Sequence, residues 1–154
     1  MFKISIRPIK LIELPRVLYI TKLAYKVPFK KNTLITKSHE PKNIRESFLN
    51  KEFFVIAAII KNKIIGSIRY KFVKNNNLYC YKLAVLKTFR NKGVGSSLIN
   101  KLEKIAKIKK CRKILLDCAQ EKKLPDYYKE LGFKIDKVEK HLDHHDVYMS
   151  KSVK

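Results

Sequence analysis

The 154-residue sequence has no run of 18 apolar residues, so no segment is long enough to cross a membrane as a helix. Its first residues alternate apolar and polar types and lack the apolar centre of a signal peptide. The three cysteines, Cys80, Cys111 and Cys118, are an odd number in a chain without an export signal, which favours reduced thiols over disulfides. These absences predict a cytoplasmic protein with no membrane partner.

Acidic residues are scarce, with 13 Asp and Glu against 36 Lys and Arg and a formal net charge of +23. Only six of the basic residues are Arg, the type that nucleic-acid readers favour for bidentate contacts. The lysines are spread over the whole chain, as the codon bias of an AT-rich genome would produce. A nucleic-acid partner is therefore the less favoured alternative, although a field this positive attracts phosphates.

Neither an internal repeat nor an interdomain linker divides the sequence, which predicts one domain over residues 1–154. Alternating and continuous apolar runs predict strands, and apolar residues at helical spacing predict helices between them. A helix between the strands Leu78–Val85 and Lys113–Cys118 favours their parallel pairing. The other predicted strands start near Phe2, Phe53, Ile64, Phe133 and Val147, and the other helices lie within 9–26, 41–49 and 124–131. Residues 27–40 are predicted to be a loop over the acceptor side of the site.

The stretch from Leu78 to Ile99 passes from a strand through a basic loop into a helix. Backbone N–H groups at a helix start are unpaired, and the helix dipole places partial positive charge there. Gly93 and Gly95 carry no Cβ, so a phosphate can approach the main chain closely. The spacing excludes the Walker phosphate loop, and Leu98 stands where the dinucleotide fingerprint needs a third small residue. An ordinary strand-to-helix turn is the alternative reading.

The run Arg-Asn-Lys-Gly-Val-Gly at 90–95, with Leu83-Ala84-Val85 upstream, resembles the acetyl-CoA site of the GNAT family of N-acetyltransferases. The resemblance extends over nearly the whole chain, including Ile65-Gly66 and the Tyr-x-x-x-Gly-Phe run that ends at Phe133. It implies an α/β fold with a mixed, mostly antiparallel sheet of six to seven strands. About four helices would flank this sheet, which would be splayed between strands four and five.

The resemblance implies acetyl-CoA as co-substrate, no metal, and a set of cofactor-binding residues along the strand end and the loop. These are Leu83, Ala84, Val85, Arg90, Asn91, Lys92, Gly93, Val94, Gly95 and Ser96. It also implies that Tyr128, four residues before Gly132, is the general acid for the leaving thiolate. The adjacent Tyr127 is the alternative candidate for this role and is the less favoured of the two.

The resemblance provides no general base, because Asn77–Val85 contains no carboxylate and Glu121 stands where the family often has an asparagine. A water chain, a loop residue such as His39 or Glu40, and no dedicated base all stay open.

Two other groups of residues are predicted to be structural. Adjacent histidines on a strand point to opposite faces, so the cluster at His141, Asp143, His144, His145 and Asp146 is predicted to be a solvated loop without a metal. Cys80 and Cys118 are expected to be buried thiols.

The resulting expectation is an enzyme that moves an acetyl group from acetyl-CoA to a primary amine by direct attack. The acceptor stays open between a small amine, a protein N-terminus or lysine, and an aminoacyl-tRNA, the last being an anionic carrier. A non-catalytic CoA-binding regulator and a basic nucleic-acid-binding module are the alternatives. Monomer and homodimer are equally compatible with the sequence.

Overall fold

The computed structural model describes residues 3–25 and 40–154. Seven strands form one sheet in the order β1-β2-β3-β4-β5-β7-β6. The strands are β1 Ser5–Pro8, β2 Phe54–Ile60, β3 Lys63–Val73, β4 Asn77–Val85, β5 Lys113–Ala119, β6 Lys134–Lys140 and β7 His145–Ser152. Every neighbouring pair is antiparallel except β4 and β5, which are parallel. The expected fold class and the parallel pair are therefore confirmed.

In the part of the chain that the structure describes, four α-helices and three short 3-10 turns connect these strands. The helices are α1 Leu14–Ala24, α2 Ile44–Leu49, α3 Val94–Ile108 and α4 Leu124–Glu130. The 3-10 turns are Leu11–Glu13, Lys87–Phe89 and Gln120–Lys122. No helix in the two described ranges is long and apolar enough to cross a lipid bilayer.

Two apolar cores lie on opposite faces of the sheet, and β2 contributes to both. Alternate residues of a strand point to opposite faces. Ile56 and Ala58 pack in the core that includes α3, whereas Val55 and Ala57 pack in the core that includes α1. Burial on both faces explains why the sequence of β2 is continuously apolar.

The parallel strands β4 and β5 separate after a short paired segment. Their pairing covers only Asn77 to Tyr79 on β4, although both strands continue beyond it. The pairing of β4 with β3 shifts register at Ser67 to Arg69, and Lys82 on β4 has a positive φ of 54°. Such a bulge bends a strand locally. The expected splay leaves the β5-facing edge of β4 without a strand partner from Cys80 onward, and the candidate site lies there.

Candidate active site

The glycine loop leads into α3 through two residues with left-handed backbone conformations. Asn91 has φ 60° and Gly93, the residue before the helix, has φ 80°. A Cβ on Gly93 would meet no atom within 4 Å, so the backbone angle rather than crowding favours glycine there. Val94, the next residue, is buried in the core and anchors the helix start. The approach to the main chain at Gly93 is therefore open, whereas the hydroxyl of Tyr127 lies over the helix start at Gly95.

A cavity of about 770 Å³ lies between the loop, the end of β4 and α4. All of the predicted cofactor-binding residues except Lys92 line it, and Tyr128 lines it too. The Nζ atom of Lys92 instead lies 5.9 Å from the ring centroid of Phe89. The Nε–H of Arg90 donates to the carbonyl oxygen of Val85 over 3.0 Å, which ties the loop to the strand end. The arrangement can hold an extended ligand with an anionic part at the start of α3.

The two adjacent tyrosines of α4 occupy different environments. Tyr127 is half-buried, and its hydroxyl is hydrogen-bonded to the side chain of Ser96 at the start of α3. Tyr128 is buried and packs against the ring of Phe133 at a centroid distance of 5.9 Å. Burial raises the pKa of Tyr128 well above its ordinary value. The phenol of Tyr128 therefore keeps its proton at neutral pH.

A second cavity, of about 270 Å³, lies where β4 and β5 diverge. Four residues line both cavities and mark where they meet: Tyr25, Leu83, Leu124 and Tyr128. The hydroxyl of Tyr25 donates to the carbonyl oxygen of Leu83 over 3.2 Å, and burial raises its pKa to about 12. The joined cavities can bring two ligands together beside Tyr128.

Asp117 on β5 lines the second cavity, and the sequence reasoning did not single it out. Its Oδ1 accepts a hydrogen bond of 2.5 Å from the hydroxyl of Tyr79 on β4. Burial, followed by this hydrogen bond, raises the pKa of Tyr79. The only signal in the sequence was an acidic residue in β5, where every other residue after Lys113 is apolar.

An ion pair between a buried arginine and a partly exposed glutamate lies beside the bulge of β4. The guanidinium of Arg69 is fully buried, and its two terminal nitrogens donate to the two carboxylate oxygens of Glu40 over 2.5 and 2.6 Å. The Arg69 guanidinium also lies 5.7 Å from the ring centroid of Phe53. Glu40, one of the base candidates, is thus engaged by Arg69. The other, His39, and most of the predicted 27–40 loop lie outside the described residues.

Two of the cysteines are buried beside the second cavity. Cys80 and Cys118 both line it, and burial raises the pKa of each thiol to about 12. All three cysteines are free thiols in the structure. Because the thiolate is the reactive form, these groups are poor nucleophiles at neutral pH.

The histidine cluster divides at the start of β7. Potential ligand atoms of His141, His144 and Asp146 lie within 4.8 Å of one another, whereas His145 is turned to Glu121. The two carboxylate oxygens of Asp146 lie 3.0 Å from His141 Nε2 and 3.2 Å from His144 Nε2. His144 and His145 do point apart, but the prediction of a solvated loop is wrong in part, because His144 is buried and His145 and Asp146 belong to β7. Asp146 also lines the second cavity. Its contacts with His141 and His144 hold this carboxylate in place at the cavity.

Comparisons with known proteins converge on one family. Residues 18–133 match the model of the acetyltransferase (GNAT) family. No curated protein sequence matches significantly.

Three solved structures illustrate the similarity of fold. A ribosomal-protein-alanine N-acetyltransferase from Brucella melitensis is 16% identical, with a TM-score of 0.79 and coverage of 96% of this chain and 99% of that chain. An aminoglycoside 6'-N-acetyltransferase complexed with coenzyme A is 16% identical, with a TM-score of 0.75 and coverage of 97% of both chains. A putative acetyltransferase from Salmonella typhimurium, solved with acetyl-CoA, is 11% identical, with a TM-score of 0.78 and coverage of 99% and 95%.

Proposed function

Because this chain belongs to the acetyltransferase (GNAT) family, we propose that it transfers an acetyl group from acetyl-CoA to a primary amine by direct attack. The observation that carries this proposal is the position of Tyr128, which lines both the large cavity beside the glycine loop and the smaller cavity between β4 and β5. A donor in the first cavity and an acceptor in the second would meet beside this buried phenol. We propose further that residues 1–154 form one catalytic domain.

The strand end and the glycine loop are the proposed binding elements for the donor. Leu83, Ala84 and Val85 lie along the edge of β4 that has no strand partner, where an extended pantetheine arm can add like a strand. Its contacts there would be with main-chain N–H groups, because the carbonyl oxygens of Leu83 and Val85 accept hydrogen bonds from Tyr25 and Arg90. The run from Arg90 to Ser96 is proposed to bind the pyrophosphate through N–H groups at the start of α3. The position of Lys92 over Phe89 supports a contribution of its backbone rather than of its charge. Acetyl-CoA, when bound, supplies the reactive thioester.

Tyr128 is proposed to protonate the departing thiolate as the C–N bond forms and the C–S bond breaks. The proton lost by the attacking amine passes to solvent water, and the phenol recovers its own proton from water. A CoA-type thiolate, with a pKa of about 8.5, is a weaker base than the phenolate of a buried tyrosine. Proton transfer from Tyr128 is therefore unfavourable by itself and must accompany cleavage of the C–S bond. Backbone dipoles on the unpaired edge of β4 are fixed in place and can stabilise the negative charge that develops on the carbonyl oxygen. No step is assigned to Glu40, since Arg69 engages both of its carboxylate oxygens.

Release of free CoA thiol from acetyl-CoA, measured over a panel of amines, tests the activity. We expect Tyr128→Phe to lower kcat by about 100-fold or more, the usual contribution of a positioned general acid. Tyr127→Phe is the matched control, because it removes the same hydroxyl from the adjacent residue. Its kcat is expected to stay within about threefold of the wild-type value.

Calorimetry with CoA separates the proposal from its alternatives. Micromolar CoA binding without thiol release on any amine would identify a non-catalytic CoA-binding regulator. The absence of CoA binding would overturn both CoA-based hypotheses and leave the basic nucleic-acid-binding module. A normal rate for Tyr128→Phe together with an inactive Tyr127→Phe would show that the acid is the other tyrosine.

A further inference from the structure

The hairpin of β6 and β7 turns at 142–143 and gathers four potential metal ligands beside that turn. The backbone N–H of His141 donates to the carbonyl oxygen of His144 over 2.8 Å, which closes the turn. Glu139 and Asp146 form a cross-strand pair two residues further along the hairpin. Because alternate residues of a strand share a face, all four side chains lie on the same face. That face therefore presents two imidazoles and two carboxylates.

The donor atoms on this face have the spacing of ligands around one metal ion. Oδ2 of Asp146 lies 3.0 Å from Nε2 of His141, and Oδ1 of Asp146 lies 3.2 Å from Nε2 of His144. Oε1 of Glu139 lies 3.5 Å from Nε2 of His141. Zn²⁺ binds nitrogen and oxygen ligands tetrahedrally at about 2.0–2.2 Å, which separates neighbouring ligand atoms by about 3.3–3.6 Å. The observed distances overlap this range.

The imidazole of His141 has a buried nitrogen that needs a partner. Within the part of the chain that the structure describes, its Nε2 makes no hydrogen bond, although Asp146 Oδ2 is 3.0 Å away. An ion pair with a protonated histidine is the alternative, but it would align the Nε2–H with that oxygen. Buried polar atoms nearly always have a partner, and an imidazole nitrogen can also bind a metal through its lone pair. A cation between His141 and Asp146 would satisfy both groups.

The imidazole of His144 is oriented by its other ring nitrogen. Its side chain is 5% exposed, and Nδ1 lies 2.5 Å from Oδ1 of Asp143. This contact assigns the proton to Nδ1 and leaves a lone pair on Nε2, which faces Asp146. Metal-binding histidines usually donate their second N–H to a carboxylate in this way, which fixes the ring and its tautomer. Asp143 therefore provides the supporting contact that such a site needs.

The chemistry of these ligands selects the class of ion. Imidazole nitrogens suit Zn²⁺, Cu²⁺ and Ni²⁺, whereas Ca²⁺ and Mg²⁺ prefer sites made of oxygen atoms. An ion can also enter from solvent, because the side chain of His141 is partly exposed and Leu142 in the turn is fully exposed. The hairpin tip thus suits a divalent transition metal better than an alkaline-earth ion.

We propose that His141, His144 and Asp146 bind a divalent transition-metal ion, with Zn²⁺ as the expected ion. Asp143 is a positioning residue that orients His144, and Glu139 lies close enough to be a fourth ligand. The ion joins the end of β6 to the start of β7. Every residue of β6 is exposed, and this strand lies at the edge of the sheet, so the ion cross-links a strand that packing holds weakly. The inference is independent of the proposed acetyl transfer, which needs no metal.

The test uses the full chain without a histidine tag, after removal of metals with EDTA and dialysis. Calorimetric titration with ZnCl₂ should show binding of a single ion per chain. Zinc at about 100 times its Kd should raise the melting temperature by about 5 °C or more, because the folded state alone binds it. Co²⁺ should give the intense visible absorption of tetrahedral coordination. Amide hydrogen exchange in β6 should slow when zinc is bound.

Substitutions assign the ion to its ligands. His141→Gln and Asp146→Asn should each lower the zinc affinity at least tenfold and remove the tetrahedral Co²⁺ spectrum. Asp143→Asn should lower the affinity by about 10–100-fold, as loss of a supporting carboxylate does, and Asp143→Glu should recover part of that loss. The matched control is His145→Gln, because that side chain lies on the opposite face and contacts Glu121. Its zinc affinity should stay within twofold of the wild-type value.

Three outcomes would overturn the inference. They are no zinc binding by the wild-type chain, binding that His141→Gln and Asp146→Asn leave unchanged, and a loss of affinity in His145→Gln as large as that in His141→Gln. The melting temperature of each variant without zinc separates loss of a ligand from loss of the fold. His141→Gln is the main variant, because this side chain is the more exposed of the two histidines. The titration contains neither acetyl-CoA nor an amine, so failure of the proposed function would leave its result unaffected.

Discussion

The hydroxyl of Tyr127 occupies the space that a Cβ atom on Gly95 would need. Gly95 is the second residue of α3, where alanine would ordinarily improve helix stability by up to about 1 kcal/mol. The contact reverses this expectation, because an added methyl group must displace the phenol and break its hydrogen bond to Ser96. The tyrosine packed over the helix start therefore favours glycine at this position.

Gly95→Ala is therefore expected to lower the free energy of unfolding by about 1–2 kcal/mol, as overpacking does. The same substitution in a Tyr127→Phe background should be neutral or stabilising, since the hydroxyl that clashes is gone. Urea denaturation of the four proteins of this double-mutant cycle measures the coupling between the two residues. Equal effects of Gly95→Ala in both backgrounds would refute the contact.

The pKa of Tyr128 makes a prediction for the pH profile of the proposed reaction. Burial raises this pKa well above its ordinary value, so the phenol stays protonated throughout pH 7–10. The value of kcat should accordingly show no decline with rising pH in this range, and Tyr127→Phe should give the same profile. A fall in kcat centred near pH 9, present in the wild type and absent from Tyr128→Phe, would contradict the environment described for this residue.

Features set by local sequence were predictable. The apolar periods placed the strands and helices, and the positive φ of Gly93 agrees with the glycine expected before α3. The parallel pairing of β4 and β5 followed from the helix between them. These features depend on backbone geometry and on residues close together in the sequence.

Features set by distant pairing were not predictable. The partnership of Asp117 with Tyr79 requires the register of β5 against β4, and the two residues are 38 positions apart. The pair of Arg69 and Glu40 spans 29 positions, and a single arginine in β3 gives no indication of its partner. The contact of the Lys92 side chain with the Phe89 ring was not predictable either. A flexible side chain adopts such a contact only once the loop has folded.

The ion pair of Arg69 and Glu40 predicts a large stability effect. Glu40→Gln leaves a buried guanidinium without its counter-charge, and because Glu40 itself is partly exposed we expect a cost of about 1–3 kcal/mol. Glu46→Gln, an exposed residue of α2, makes the same chemical change and should alter stability by less than about 0.5 kcal/mol. Chemical denaturation compares the two variants. Equal stabilities would show that the Arg69 charge is compensated elsewhere.

The cysteines beside the second cavity should resist alkylation. Because burial raises the pKa of Cys80 and Cys118 to about 12, almost no thiolate is present at pH 7.5. Iodoacetamide followed by peptide mass analysis should leave both residues unmodified in the native protein and modify them in urea. Rapid native modification of Cys118 would contradict its buried environment and would reopen a nucleophilic role.

The free energy of unfolding at acid pH should depend on the ionisation of Glu13. Two hydrogen bonds of 2.8 Å from Arg7, together with the backbone N–H of Lys10, lower the pKa of Glu13 from 4.5 to about 2. Since the folded-state pKa is depressed, the stabilisation is fully present above the unfolded value near 4.5 and is lost as the pH falls toward 2. Arg7 is partly exposed, so solvent screening limits the contribution to about 1 kcal/mol.

We therefore expect Glu13→Gln to be less stable than the wild type by about this amount at pH 7, with the difference disappearing between pH 4.5 and 2. Urea denaturation at a series of pH values measures it, and 1 M salt should reduce the difference at pH 7 because it screens the pair. Glu52→Gln, a change at an exposed glutamate, is the matched control and should show no such pH-dependent difference. A difference for Glu13→Gln that persists unchanged at pH 2 would mean that the carboxylate stabilises the fold by packing rather than by its charge.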